Sequence, residues 1–118
     1  HFPGFINMEE KINYLNQAEM LVIPSRKEAM SIVVLEGAIL KKPVIYTKEC
    51  GVDDFVDNDI GICTNLSSEN ISNEISKVLD SKQLKKELGD RAYNYTVNNF
   101  SWEKIAQRHV DLFKALTK

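Results

Sequence analysis

The stretch Met20 to Thr47, MLVIPSRKEAMSIVVLEGAILKKPVIYT, constrains the fold more than any other part of the chain. An apolar run ends at Pro24-Ser25 and a charged loop carries Glu28. An apolar segment with Glu36 follows, and Lys41-Lys42-Pro43 introduces a second apolar run. Continuous short apolar runs are the mark of strands buried on both faces of a parallel sheet. The intervening SIVVLEGAIL is β-branched enough to suggest a strand. Its length, its Ala-Ile-Leu end and the proline beyond it predict a buried helix instead. Strand, loop, helix and strand make one crossover unit.

The rest of the chain extends this alternation. HFPGFI reads as a turn or strand end. Asn7 caps a helix running from Met8 to about Ala18, with Met8, Ile12 and Leu15 on one face. After Val44–Tyr46, Cys50 to Val56 reads as a turn and one helical turn, Asp57-Asn58-Asp59 as another turn, and Gly61–Thr64 as a last strand. Three helices close the chain. Asn70–Leu79 buries Ile71, Ile75, Val78 and Leu79. Ser81 to about Asn98 contains Gly89, a weak point costing about 1 kcal/mol relative to Ala. The last helix opens with Ser101 as its cap and packs Ile105, Val110, Leu112, Phe113 and Leu116 inward, with Trp102 as its anchor. Strands alternating with helices give an α/β fold with a parallel sheet. In such sheets the ligand lies at the carboxyl ends of the strands, which places Ser25–Ser31 and Thr47–Val52 at the site.

Composition excludes several classes. At 118 residues the chain forms one domain. A net charge of −2 with interspersed signs gives no field for nucleic acid. No apolar run approaches the length of a membrane span. Cys50 and Cys63 make neither a disulfide framework nor a zinc site, and are read as reduced, cytosolic thiols. The Asn-X-Ser/Thr triplets at Asn65, Asn70, Asn94 and Asn99 read as chance. Asp57-Asn58-Asp59 resembles a metal-binding Asp-X-Asp but has no companion ligands, so it reads as a solvated turn. His109 is assigned a structural role.

The run VIPSRKEAMSIVVLEGAILKKPVIYTKECG, followed by Gly51-Val52-Asp53-Asp54, Gly61-Ile62-Cys63 and the ending NNFSWEKIAQRHVDLF, resembles the C-terminal, nucleotide-sugar-binding half of GT-B glycosyltransferases of family four. It departs from the family pattern in Ala29-Met30-Ser31, where Gly-Phe-Gly is usual, and in Cys50-Gly51, where two glycines are usual. The resemblance implies a Rossmann-like parallel sheet with helices on both faces. Residues 1–118 would form a single partial donor-binding domain with C-terminal helices over 70–118. It implies a retaining enzyme of polysaccharide synthesis that uses a nucleoside diphosphate sugar and needs neither metal nor other cofactor. The Ala-Met-Ser variant points to bacterial envelope polysaccharides.

On the same resemblance, Glu28 is the catalytic position, set against the donor sugar near its reacting carbon. Ala29, Met30, Ser31, Ile32, Val33 and Glu36 bind the nucleotide sugar, Glu36 through the ribose hydroxyls. Arg26, Cys50 and Gly51 are phosphate or loop contacts. A helix opening near Ser31 offers unpaired amides and a positive dipole end that suit a diphosphate. The two glutamates are expected to converge on one rim. A glycosidase pair, which needs carboxyls about 5–10 Å apart across one bond, does not fit a glutamate aimed at ribose.

His1 reads as a cut end or a tag remnant. The family's phosphate-clamping Arg and Lys and its acceptor-binding domain would lie ahead of this chain. The glycan acceptor is therefore bound outside it, and the isolated chain is expected to be inactive. Its first strand is expected to be an open edge prone to self-association. The location implied is cytoplasmic, with room for peripheral association of the full-length protein at the inner face of the membrane. Two other readings stay open: a non-catalytic nucleotide-sugar-binding or assembly module, and a GT-B epimerase or phosphorylase.

Overall fold

Side chains that accept from backbone amides set where the helices begin. In the computed structural model, which describes residues 1–117, Asn7 accepts from the Glu10 amide and Glu10 accepts from the Asn7 amide, each at 2.9 Å. This capping box starts α1, Met8–Gln17. The hydroxyls of Ser67, Ser81 and Ser101 accept from the amides of Asn70, Leu84 and Lys104. They open α4 (Ser68–Asp80), α5 (Lys82–Asn99) and α6 (Trp102–Leu116).

Between these lie β1 (Leu21–Ile23), α2 (Ile32–Ile39), β2 (Val44–Thr47), α3 (Asp53–Asp57) and β3 (Ile62–Thr64). The strands form one parallel sheet in the order β1-β2-β3. Leu21 pairs with Val44 and Ile45 with Ile62. β2 is buried along its whole length, as the middle of a covered sheet must be.

Period-two alternation divides the strand residues between two cores. Val44 and Tyr46 pack with Val34 and Ala38 of α2, Phe55 of α3 and Ala92 of α5. Ile45 faces the other way, onto Val78 of α4 and Leu88 of α5, with Val22 and Ile62 beside it. Helices therefore cover both faces. The chain has the Rossmann-like α/β architecture that its alternating pattern predicts. β1 is the edge of the described sheet on one side.

Four expectations about packing need correction. Leu79 is exposed, because Ile71, Ile75 and Val78 follow the i, i+4, i+7 face and Leu79 falls about 100° away from Val78. Met8 and Ile12 of α1 are also exposed, leaving Leu15 as its buried residue. Gly89 is no weak point: α5 crosses the turn after α2 there, and a Cβ would sit 2.9 Å from the Lys41 carbonyl carbon.

The fourth concerns α6. None of its residues is buried, and Val110, Leu112, Phe113 and Leu116 lie open, with Ile105 half-buried. Trp102 is 83% exposed and anchors nothing among the described residues. The amphipathic pattern correctly marks an apolar face on α6, but no described element lies over it.

Candidate functional site

β1 and β2 run parallel, so the loops that leave them emerge side by side. Four polar contacts join the two loops into one ledge. The Thr47 hydroxyl donates to the Ser25 carbonyl at 2.6 Å, and the Cys50 thiol to the Ile23 carbonyl at 3.4 Å. The Glu28 amide donates to the Glu49 carbonyl and the Ser31 amide to the Cys50 carbonyl, each at 2.9 Å.

Gly51 is what lets the loops meet. Its φ is 65°, and a Cβ there would lie 2.7 Å from the Ala29 carbonyl carbon and 3.0 Å from the Glu28 oxygen. The small residues of the loop thus permit a close approach of backbone to backbone. Behind the ledge, the Phe55 ring meets Tyr46 and Tyr95 edge-on at 6.4 and 5.6 Å between centroids. Burial pushes the Tyr46 hydroxyl well above the usual tyrosine range, so it stays neutral and serves as packing.

Glu28 stands exposed on the ledge, where the Ser25 hydroxyl donates to its Oε1 at 2.8 Å. Ser31 is the N-cap residue of α2, but it is buried and its side chain makes no capping bond. The amides of Ile32 and Val33 therefore have no partner among the described residues. They sit at the positive end of the helix, ringed by the exposed side chains of Met30, Ile32 and Val33. Arg26 and Lys27 are exposed on the same loop. Cys50 is fully buried, its sulfur turned toward Ile23 and Thr47.

Glu36 sits elsewhere. It is five residues past the cap, about 7.5 Å along the helix axis. Its Oε1 accepts from Lys11 Nζ of α1 at 2.6 Å, while Oε2 is shielded from solvent without a partner. It borders two clefts. One, about 330 Å³, is walled by Leu35, Ile39, Thr96, Val97, Phe100 and Ser101. The other, about 200 Å³, lies against α1. Glu28 lines neither. The loop contacts gather Glu28, Ala29, Ser31, Cys50 and Gly51, while Glu36, expected on the same rim, is paired with Lys11 and borders clefts that Glu28 does not line.

The Asp57-Asn58-Asp59 turn is tied into the fold. Asn58 donates to the Asp54 carbonyl at 2.8 Å, and the Asp59 carboxylate pairs with Arg91 at 2.6 Å. Among the described residues no three His, Cys, Asp or Glu side chains are grouped to hold a metal ion. His109 Nδ1 lies 2.8 Å from the Ile105 carbonyl within α6, a structural contact.

Sequence reasoning placed Ser25 and Thr47 in the two loops of the site without giving either a role, and it missed Lys11. Thr47 had a signal, a hydroxyl at the last position of a strand feeding the loop. Lys11 had none, because its partner lies in a different crossover.

The sequence profile described as glycosyl transferases group 1 matches residues 1–95. An uncharacterised glycosyltransferase of Methanocaldococcus jannaschii is 30% identical over 103 residues, covering 86% of this chain and 29% of that protein. The lipopolysaccharide 1,2-N-acetylglucosaminetransferase of Salmonella typhimurium is 28% identical, over 86% of this chain and 28% of that one. The structure of sucrose-phosphate synthase from Thermosynechococcus elongatus superposes with a TM-score of 0.84 at 25% identity, covering 99% of this chain and 30% of its own. The chain thus spans under a third of the length of these relatives.

Proposed function

The chain belongs to the glycosyl transferases group 1 family, and on that footing we propose that it is the donor-binding part of a retaining glycosyltransferase. The protein moves a sugar from a nucleoside diphosphate sugar to a glycan acceptor that is bound outside this chain. The acceptor class proposed is bacterial envelope polysaccharide, a reading supported by the likeness to a lipopolysaccharide transferase.

The observation that carries the reading is the open end of α2 on its rigid ledge. The unpartnered amides of Ile32 and Val33 would face the donor diphosphate, where the helix dipole favours negative charge. As the sugar leaves, charge builds on that diphosphate, and fixed dipoles stabilise it without needing to reorganise. No divalent metal is called on. Glu28, held by Ser25, would orient the donor sugar near its reacting carbon. Glu36 would accept from the ribose hydroxyls.

A titration of the ¹⁵N-labelled chain with UDP-glucose and GDP-mannose tests this. The Ile32 and Val33 amides are expected to shift with at least one donor in the millimolar range. Shifts confined to other surfaces, or none, would overturn the reading. Incubation of the chain alone with donor and acceptor glycans should yield no product; transfer by this chain alone would refute the proposed inactivity.

A further inference from the structure

The ledge occupies the carboxyl ends of the strands. At their amino ends, the turn from α1 into β1, the turn from α2 into β2 and the first turns of α5 enclose a cleft of about 290 Å³. Its lining is basic. Lys41, Lys42, Lys82, Lys85 and Lys86 border it, against the single carboxylate of Glu19. That is a third of the 15 basic residues of a chain whose net charge is −2, so overall composition does not account for the cluster.

Part of this charge is already matched. Lys85 pairs with Glu19, and Asp90 lies 3.3 Å from Lys41 and 2.6 Å from Lys86. Lys42 Nζ donates to the neutral Asn16 carbonyl at 2.8 Å, and Lys82 is exposed with no ion pair among the described residues. Five ammonium groups against two carboxylates leave a surplus of three positive charges around one concavity. Like charges crowded together repel, and an anion set among them relieves that repulsion.

We infer that this cleft binds a compact anion carrying two or more phosphate groups, at the end of the sheet opposite the ledge. An ammonium is a point charge with three donors, which suits phosphate oxygens approaching from several sides. The incoming anion competes with Glu19 and Asp90 for the same lysines, so it must bring more charge than one carboxylate. The volume lies near the lower end for a small-molecule site. A bilayer would call for apolar side chains that enter it, and the apolar lining here is Ala18 and the buried Pro43. The length of the strands, about 10 Å, separates cleft from ledge. The inference stands without the donor assignment.

The test titrates the ¹⁵N-labelled chain with sodium tripolyphosphate, inorganic phosphate, sodium chloride at matched ionic strength, and vesicles of phosphatidylcholine with phosphatidylglycerol. Tripolyphosphate should shift the amides of Glu19, Lys42, Lys82 and Lys86 saturably, leave Ile32 and Val33 still, and bind about tenfold more tightly than inorganic phosphate. Lys82→Gln and Lys86→Gln together should weaken binding about tenfold, about threefold for each charge, the scale of an exposed ion pair. Glu19→Gln removes a competing carboxylate and should strengthen binding about threefold, a gain that damage to the fold would not produce. If the double variant does not fold, Lys82→Gln is read in its place.

Shifts reproduced by chloride at the same ionic strength would mean screening alone and overturn the site. So would an affinity that neither the lysine variants nor Glu19→Gln moves. Shifts confined to Ile32 and Val33 would put the anion on the ledge, overturning the cleft and leaving the donor reading standing. Binding to the vesicles with none of tripolyphosphate would overturn the small ligand and assign the cleft to a lipid surface.

Discussion

Gly51→Ala should be among the most damaging single-methyl changes in the chain, and its cost can be worked from the geometry. At φ 65° the residue is left-handed, which costs an L-residue about 1–2 kcal/mol. The new Cβ would also press on the Ala29 carbonyl carbon from 2.7 Å and on the Glu28 oxygen from 3.0 Å. Those are backbone atoms and cannot rotate aside, so the Glu28–Ala29 segment must lift. Lifting it strains the Glu28–Glu49 and Ser31–Cys50 hydrogen bonds, each worth about 1 kcal/mol. The sum is about 3 kcal/mol, or a fall in melting temperature of about 10 °C for a domain of this size.

Gly4→Ala is the control. Its φ of 77° is equally left-handed, but nothing lies within 4 Å of its Cβ, so strain alone remains, at most about 1 kcal/mol in an exposed terminal segment. Urea titrations followed by circular dichroism give both free energies, and amide spectra report on Glu28 and Ser31. A Gly51→Ala protein within about 0.5 kcal/mol of wild type, with both amides unmoved, would refute the stitched ledge.

Gly89→Ala should destabilise by more than about 1 kcal/mol, the reverse of its gain on an open helix, because the methyl meets the Lys41 carbonyl; a raised melting temperature would mean that α5 does not cross so closely. The hydrogen bond from Lys86, with that from Lys41 behind it, holds Asp90 below its ordinary value of 3.8. Its stabilising share is therefore present above that value and is lost as pH falls through the lower, folded one. Asp90→Asn should narrow the gap between urea midpoints at about pH 7 and about pH 3, modestly and less so in high salt, since the pair is exposed; an unchanged gap would exclude this linkage. With β1 an edge strand and the apolar face of α6 open, the chain should self-associate as its concentration rises. Light scattering that shows only monomer at high concentration would refute it.

What the sequence made legible was local. Asn7 and Ser101 cap where their spacing to the following apolar residues says they should, because a cap needs only three neighbours. The strands were legible from their continuous apolar runs, and the strand-end rule placed the two loops together. The contacts that make them one ledge were not, since Thr47 reaches Ser25 across 22 residues and nothing in either segment advertises the other. α6 shows the opposite failure. Its pattern states that one face is apolar, which is a property of the helix. Burial is a property of what lies over it, and periodicity says nothing about that.

The glutamate pair shows where motif reasoning stops. A spacing of eight residues has a geometric meaning only within one regular element, and here it spans a loop and then the start of a helix. Glu28 takes its place from Ser25 and from the loop across Gly51. Glu36 takes its height from the helix rise, but its direction from Lys11, a residue 25 positions away. The spacing therefore puts both carboxylates near one end of the sheet and leaves undetermined whether they face each other. In the free chain Glu28 is held by Ser25 and Glu36 by Lys11. A donor that bridged them would have to reach from the ledge past the amides of Ile32 and Val33 to a carboxylate with one oxygen on Lys11 and the other shielded from solvent, so Glu36 or α1 would have to shift first.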